Sequence, residues 1–261
     1  MSISIRRIYA VMLRNFYADK RSVMRLVDLF YYPVIDITLW GITTKWLQQE
    51  QSSNFMIAIA TSLVLWQVVS RSILEISIGI IEELWNRSII NLFSSPLQLT
   101  EWIIAFMTSS ICKNFFVLPY GALLVWLVYG VNIFNIGWMI IPYLMLLLGC
   151  GWIIGFLGAS IIMHWGRRAQ STPWMVAWFF VPVCAVYYPV ANLPRPIQIF
   201  SLCTPLTHIF EAVRHHIING SIAYNHLGIA TALTAVYLIL SITLFRCIFT
   251  RALNKGLSSL E

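Results

Sequence analysis

Long apolar runs separated by short polar breaks set the character of this chain. They cover about 28–47, 54–80, 102–129, 138–163, 173–190 and 226–249. Most reach the ~20 residues that cross a hydrocarbon core about 30 Å thick. The expected fold class is therefore all-α: a polytopic membrane protein with six transmembrane helices. Residues 3–26 follow a different pattern. Arg7, Arg14 and Arg21 recur every seven residues, while Ile5, Ile8, Met12 and Phe16 follow helical spacing on another face. That predicts an N-terminal amphipathic helix lying in the interface, with its cations toward lipid phosphates.

Residues 191–223 break the pattern again. Leu193-Pro194-Arg195-Pro196 and Thr204-Pro205-Leu206 divide them into two segments too short to cross a bilayer. Both are partly apolar, which predicts two short re-entrant or interfacial helices between the fifth and sixth spans. The chain reads as one transmembrane domain. Its parts are an interfacial helix (1–27), spans one and two (28–80), a polar connection (81–101), spans three to five (102–190), the broken segment (191–223), and span six with a tail (224–261).

Composition agrees with this reading. Hydrophobic residues make up 59% of the 261, and charged residues 10% against about 25% in an ordinary soluble domain. The formal charge of +7 would allow a nucleic-acid partner, but its placement argues against one. Six cations precede the first run, Arg167 and Arg168 share one loop, and Arg246, Arg251 and Lys255 close the chain. Cations on alternating loops are the positive-inside pattern, which puts both ends and 81–101 in the cytoplasm. The N-terminal stretch does not read as a cleaved signal peptide, because arginines continue to position 25 without a compact apolar core. Five cysteines show no metal-like spacing, and His208, His215 and His216 have no carboxylate set beside them, so neither a metal site nor a disulfide framework is expected.

Ionisable residues inside spans are costly and mark candidate functional positions. Asp36 lies nearest a midplane; Arg71 and Glu75, four apart, are expected to pair, and Lys113 to snorkel inward. Gly149, Gly151, Gly155, Gly158 and Ala159 give the fourth span a small-residue face for close packing, within one subunit in preference to a dimer seam. Trp40, Trp46, Trp138 and Trp165 read as interfacial belt residues. Phe179, Phe180, Tyr187 and Tyr188, with Asp36, are candidates for lining a translocation path.

Two segments carry a resemblance. The first is Glu82-Glu83-Leu84-Trp85-Asn86-Arg87, then Asn91-Leu92-Phe93-Ser94-Ser95-Pro96-Leu97 and Glu101. The second is Tyr188-Pro189-Val190, Leu193-Pro194, Thr204-Pro205-Leu206-Thr207-His208 and Glu211-Ala212-Val213-Arg214. In this order, on opposite expected sides of the membrane, they resemble the permeases of ABC-2-type exporters. Thr204 and Arg87-Ser88 depart from the family pattern. The resemblance implies a membrane subunit exporting an amphiphilic, lipid-linked or drug-like substrate, in the bacterial cytoplasmic (inner) membrane. It implies coupling to an ATPase through Glu82, Glu83, Trp85, Arg87, Leu92 and Pro96, with Glu83 and Arg87 bracing one turn and Trp85, Ile89 and Leu92 forming a contact face. It also implies an external segment ordered by Pro189, Pro194, Pro205, His208, Glu211 and Arg214.

No Gly-rich loop ending in Lys-Ser or Lys-Thr occurs, so no P-loop is present. No cofactor is expected in this chain; ATP and Mg belong to a partner ATPase, present in two copies beside a homodimer of this permease, with membrane lipids as the other partner. An ATPase-independent secondary transporter or channel is the alternative, weakened by the lack of paired broken segments in both halves. An intramembrane enzyme is a further one. Gly158-Ala159-Ser160 resembles a rhomboid nucleophile, but Ile161 replaces the glycine and the sixth run holds no histidine base beyond its start. No catalytic residue is assigned.

Overall fold

The computed structural model describes residues 3–47, 53–86 and 88–255. Among them there is no strand. The helices are α1 (Ile5–Arg21), α2 (Val23–Leu47), α3 (Ser53–Trp85), α4 (Ile89–Ser94), α5 (Leu99–Tyr129) and α6 (Ile140–Trp165). They continue with α7 (Thr172–Val183), α8 (Arg195–Leu202), α9 (Pro205–Asn219) and α10 (Tyr224–Lys255). Short 3₁₀ turns at Ile133–Met139, Gly166–Ala169 and Val190–Asn192 join them.

Four stretches are long and apolar enough to cross a membrane: Met56–Trp85, Leu99–Tyr129, Ile133–Trp165 and Tyr224–Leu253. They mark an integral membrane protein. The other two expected spans fall short for different reasons. α2, 25 residues, reaches about 37 Å at 1.5 Å per residue, but Arg25, Asp28, Asp36 and Lys45 dilute its apolar character. α7 has only 12 residues, or about 18 Å, and ends at Val183 where the pattern predicts helix to 190. The cause lies just beyond it. Ala185 has φ 51°, a left-handed conformation that a helix cannot pass through.

α3 and α6 form the centre, with 78% and 61% of their most apolar windows buried inside the protein, against 28% for α5 and 17% for α10. The outer surfaces of α5 and α10 are thus left to lipid. Close approach at the centre follows from the small residues of α6. A methyl group at Gly151 would sit 2.4 Å from the Ser72 Cβ, and one at Gly155 3.1 Å from the Ile76 Cβ. Ser77 Oγ donates across this seam to the Gly155 carbonyl at 3.0 Å. The small face therefore packs within the chain, on α3, with Gly149 turned to Thr234 of α10.

Two hydrophobic clusters define two ends. One joins Ile80, Trp102, Phe156 and Phe249 to Val11 of α1, Ile89 of α4 and Ala169 of the basic loop. The other joins Trp66, Tyr143 and Val181 to Ile209, Phe210 and Val213 of α9 and to Ala230 of α10. The arginine-rich elements thus gather at one end of the bundle, and the proline-broken segment packs at the other.

Candidate functional site

At the basic end, α3 runs out in Glu82, Glu83 and Trp85, α4 crosses the end of the bundle, and α5 begins at Leu99. Glu82 accepts a two-pronged bond from Arg25, at 2.8 Å from Nε and closer from Nη2. Glu83, 7% exposed, is bonded by the Arg14 guanidinium and by the Ser88 hydroxyl. Glu101 is fully buried. It accepts the Ser4 N–H at 2.8 Å and the Gln98 N–H at 3.0 Å, and pairs with Arg7 Nη2 at 2.9 Å. One carboxylate thereby caps α5 and fastens the start of α1. Arg7 also donates to the Pro96 carbonyl.

These contacts correct the expected role of the basic stripe. Arg7 and Arg14 turn to Glu101 and Glu83 within the protein, leaving exposed Arg21 outward. Two buried carboxylates at the bundle's end need cations, and α1 supplies them. Burial pulls the Arg14 guanidinium below its ordinary value. The α4 surface differs from expectation as well. Ile89 is buried and Leu92 packs inward, because α4 has apolar residues enough for one face and the bundle takes it. The surface left outward is Trp85 (43% exposed), Asn86, Asn91, Ser94, Ser95 and Pro96. Arg87, the expected brace for Glu83, lies outside the described residues.

At the other end, prolines start each element. Pro189 precedes the turn Val190–Asn192, Pro194 precedes α8, and Pro205 opens α9. Arg214, 5% exposed, is the anchor. Its Nη1 donates to Glu211 Oε1 at 2.8 Å and its Nη2 to the Ala185 carbonyl at 3.0 Å. Glu211 also accepts the Val190 N–H at 2.8 Å. The pair expected between Glu211 and Arg214 forms, and it also holds the strained turn after α7. Burial lowers the Arg214 guanidinium and Glu211 opposes that shift. His208 is buried, with Nε2 2.9 Å from the Leu202 carbonyl and Nδ1 3.2 Å from His226 Nδ1. Since Nε2 faces a carbonyl it carries the proton, and His226 donates to the free Nδ1. No group of three or more metal-ligating side chains occurs among the described residues.

No protein-family model matches this chain, and no curated protein matches it.

The five residues proposed for a path separate into distinct places. Asp36 accepts from Gln67 Nε2 at 3.1 Å and lies within electrostatic reach of buried Tyr187. Trp40 packs at a tilt against Tyr187 with centroids 4.8 Å apart, on the edge of the hydrophobic core. The other two described belt residues, Trp138 and Trp165, are 88% and 64% exposed; the side chain of Trp46 lies outside those described. Phe179 is exposed on the outside of α7, and the Tyr188 hydroxyl is tied to the Pro182 carbonyl. Phe180 lines an apolar cavity of about 340 Å³ between α6, α8, α9 and α10. Asp36, Trp40, Gln67 and Tyr187 form the one polar focus among them.

The residues the pattern missed are Asp19, Arg25 and Asp28, which complete a half-buried charge cluster with Arg71, Glu75 and Lys113. Lys113, expected to snorkel inward, is paired: it bonds both Glu75 and Asp19, and Asp19 also takes Arg25. Arg71 interacts electrostatically with Asp28 ahead of Glu75. The signal was present in charge balance. Arg71 and Lys113 are two intramembrane cations with one acid between them, and Asp19 and Asp28 were the acids left without a role nearby.

Proposed function

We propose that this chain is the transmembrane subunit of an ABC-2-type exporter, moving an amphiphilic, lipid-linked or drug-like substrate outward with energy from a separate ATPase. The observation that carries the reading is the corner at the basic end. Two of the long apolar helices, α3 and α5, are joined by one short cross-helix. That joint is clamped to α1 through Glu83 and Glu101 and to α2 through Glu82, and it leaves Trp85 exposed. A force applied there would move α3 and α5 together, as coupling to an external engine requires.

In this reading the basic end faces the cytoplasm. α2, α3, α5, α6, α7 and α10 are the six spans. α7, too short alone, is completed in depth by α9, whose Leu206, Ile209, Phe210 and Val213 are fully buried against the bundle. α8 and α9 are then the outer re-entrant pair, fixed by Arg214. The exposed aromatic outer faces of α2 and α7, including Tyr31, Tyr32, Trp178 and Phe179, are open to a second copy, and two ATPase chains with ATP and Mg would dock below the dimer. Asp36, Gln67 and Tyr187 offer a polar station beside the path.

A photo-cross-linking residue at Trp85 tests the assignment in cells. Capture of a polypeptide that binds ATP, together with labelling of a cysteine at Asn91 only from the cytoplasmic side, supports it. Labelling of that cysteine from outside overturns it, as does ATP hydrolysis by the purified chain alone.

A further inference from the structure

The charge cluster does not fill the space it surrounds. Between the α1–α2 junction, α3 and α5 lies a cavity of about 480 Å³, within the roughly 300–1,000 Å³ typical of small-molecule sites. Its polar side carries Asp19, Arg25, Asp28, Arg71, Glu75 and Lys113. Its remaining wall is apolar, formed in part by Leu29, Phe30, Leu74 and Phe116. Phe30 and Phe116 are 48% and 69% exposed, so the apolar side leads out to the face of the bundle between α2 and α5. The site is therefore amphiphilic, with charge inside and a lateral apolar exit.

From this geometry we infer that the cavity binds the head group of a zwitterionic phospholipid carrying a primary ammonium, its acyl chains leaving past Phe30 and Phe116. Lys20 lines the cavity too, so four cations face three carboxylates, and Glu82, bonded to Arg25 from outside the lining, brings the charges to balance. A head group of net charge would add an uncompensated charge to a partly desolvated place, which is costly. A phosphate and an ammonium on one molecule add none: the phosphate meets Arg71 and Lys113, and the ammonium meets Asp28 and Asp19. A primary ammonium donates three hydrogen bonds to those carboxylates, whereas a quaternary one donates none. The exposed apolar exit excludes a free water-soluble zwitterion as the favoured occupant. This inference does not depend on the exporter reading, since neither an ATPase nor a transported substrate enters it.

Cys112 lines the cavity and its thiol is exposed, which provides a direct probe. The full-length chain, with Cys150, Cys184, Cys203 and Cys247 replaced by serine or alanine, is placed in nanodiscs of phosphatidylethanolamine, phosphatidylcholine or phosphatidylglycerol, and maleimide labelling of Cys112 is timed. At lipid levels four times Kd, protection of about five-fold is expected in phosphatidylethanolamine alone. Free phosphoethanolamine added to phosphatidylcholine discs should not protect. Asp28→Asn should abolish the difference between lipids. Ile78→Phe, which narrows the cavity while keeping every charge, should remove retained phosphatidylethanolamine from native mass spectra, so a folding failure of the first variant leaves the test intact. Equal labelling in the three lipids overturns the inference. Equal protection by phosphatidylglycerol overturns its zwitterionic part, and protection by free phosphoethanolamine overturns its lipid part.

Discussion

Replacing Arg214 by methionine removes the fork that holds the turn after α7 while keeping most of its apolar stem. Its two closest interactions go, with a longer one to the Val186 carbonyl at 3.5 Å. The bond to the Ala185 carbonyl, 3.0 Å long, is made by a charged donor, and such bonds contribute about 1.5–3 kcal/mol. The Glu211 partner is 24% exposed, so water recovers part of its charge, and it keeps the Val190 N–H. The ion pair therefore counts for less than the ~3–5 kcal/mol of a fully buried pair broken on one side. Together the loss comes to about 2–4 kcal/mol. For a chain of this size that lowers Tm by roughly 4–8 °C in detergent. The rank order is the sharper test. Arg214→Lys should lose nearly as much as methionine, because one ammonium cannot span Glu211 and Ala185 in a fixed fork. Glu211→Gln, which keeps an acceptor for Val190, should lose least. Hydrogen exchange over 184–192 should rise in the same order. A methionine variant within 1 kcal/mol of the parent, or one that loosens α8 while leaving 184–192 protected, refutes the claim that Arg214 holds this turn.

Other perturbations follow from the same contacts. Glu101→Ala should speed hydrogen exchange over residues 4–11 while leaving α6 unchanged, since the capping carboxylate also fastens α1 to α5. Gly151→Val should destabilise by about 1–3 kcal/mol through overpacking against Ser72, whereas Gly228→Ala, whose added methyl meets nothing within 4 Å, should be neutral; thermal melts separate the two. If the exporter reading holds, Trp85→Ala should leave the melting temperature unchanged and abolish transport while ATP hydrolysis by the complex with its ATPase continues, measured in proteoliposomes.

The helices were legible in the sequence because a bilayer imposes one strong rule, a long apolar run, and α3, α5, α6 and α10 obey it. The glycine face of α6 was legible for a similar reason: small residues at i, i+4 and i+7 admit only a close neighbour. The end of α7 was not. Nothing in Val183-Cys184-Ala185 announces a left-handed alanine, and the constraint that imposes it, Arg214, lies 29 residues further on. The basic stripe of α1 misled in an instructive way. Its spacing correctly gives a helix with one cationic face, but spacing cannot say whether lipid phosphate or Glu83 and Glu101 neutralise it. That choice depends on where α3 ends and α5 begins, which is tertiary information. The same holds for Leu92, whose place on an apolar face was right and whose direction was not.

The clamps on α1 bear on how the basic end can work as a unit. α4 has a single turn and a half, too short to be a stable helix by itself, so its stiffness has to come from what surrounds it. Ile89 and Leu92 fix its inner face to the bundle, Ser88 and Glu83 fix its start, and the Arg7 bond to the Pro96 carbonyl fixes its exit. Because Glu83 and Glu101 reach back to α1 and Glu82 to Arg25 of α2, displacement at Trp85 would be shared among α1, α2, α3 and α5 instead of being absorbed by the connection. The lipid-facing cavity sits inside this same frame, bounded by α1, α2, α3 and α5. A head group bonded to Asp28 and Arg71 would therefore stiffen the frame, and its release would slacken it, which makes the bilayer's composition a physical input to whatever motion the corner transmits.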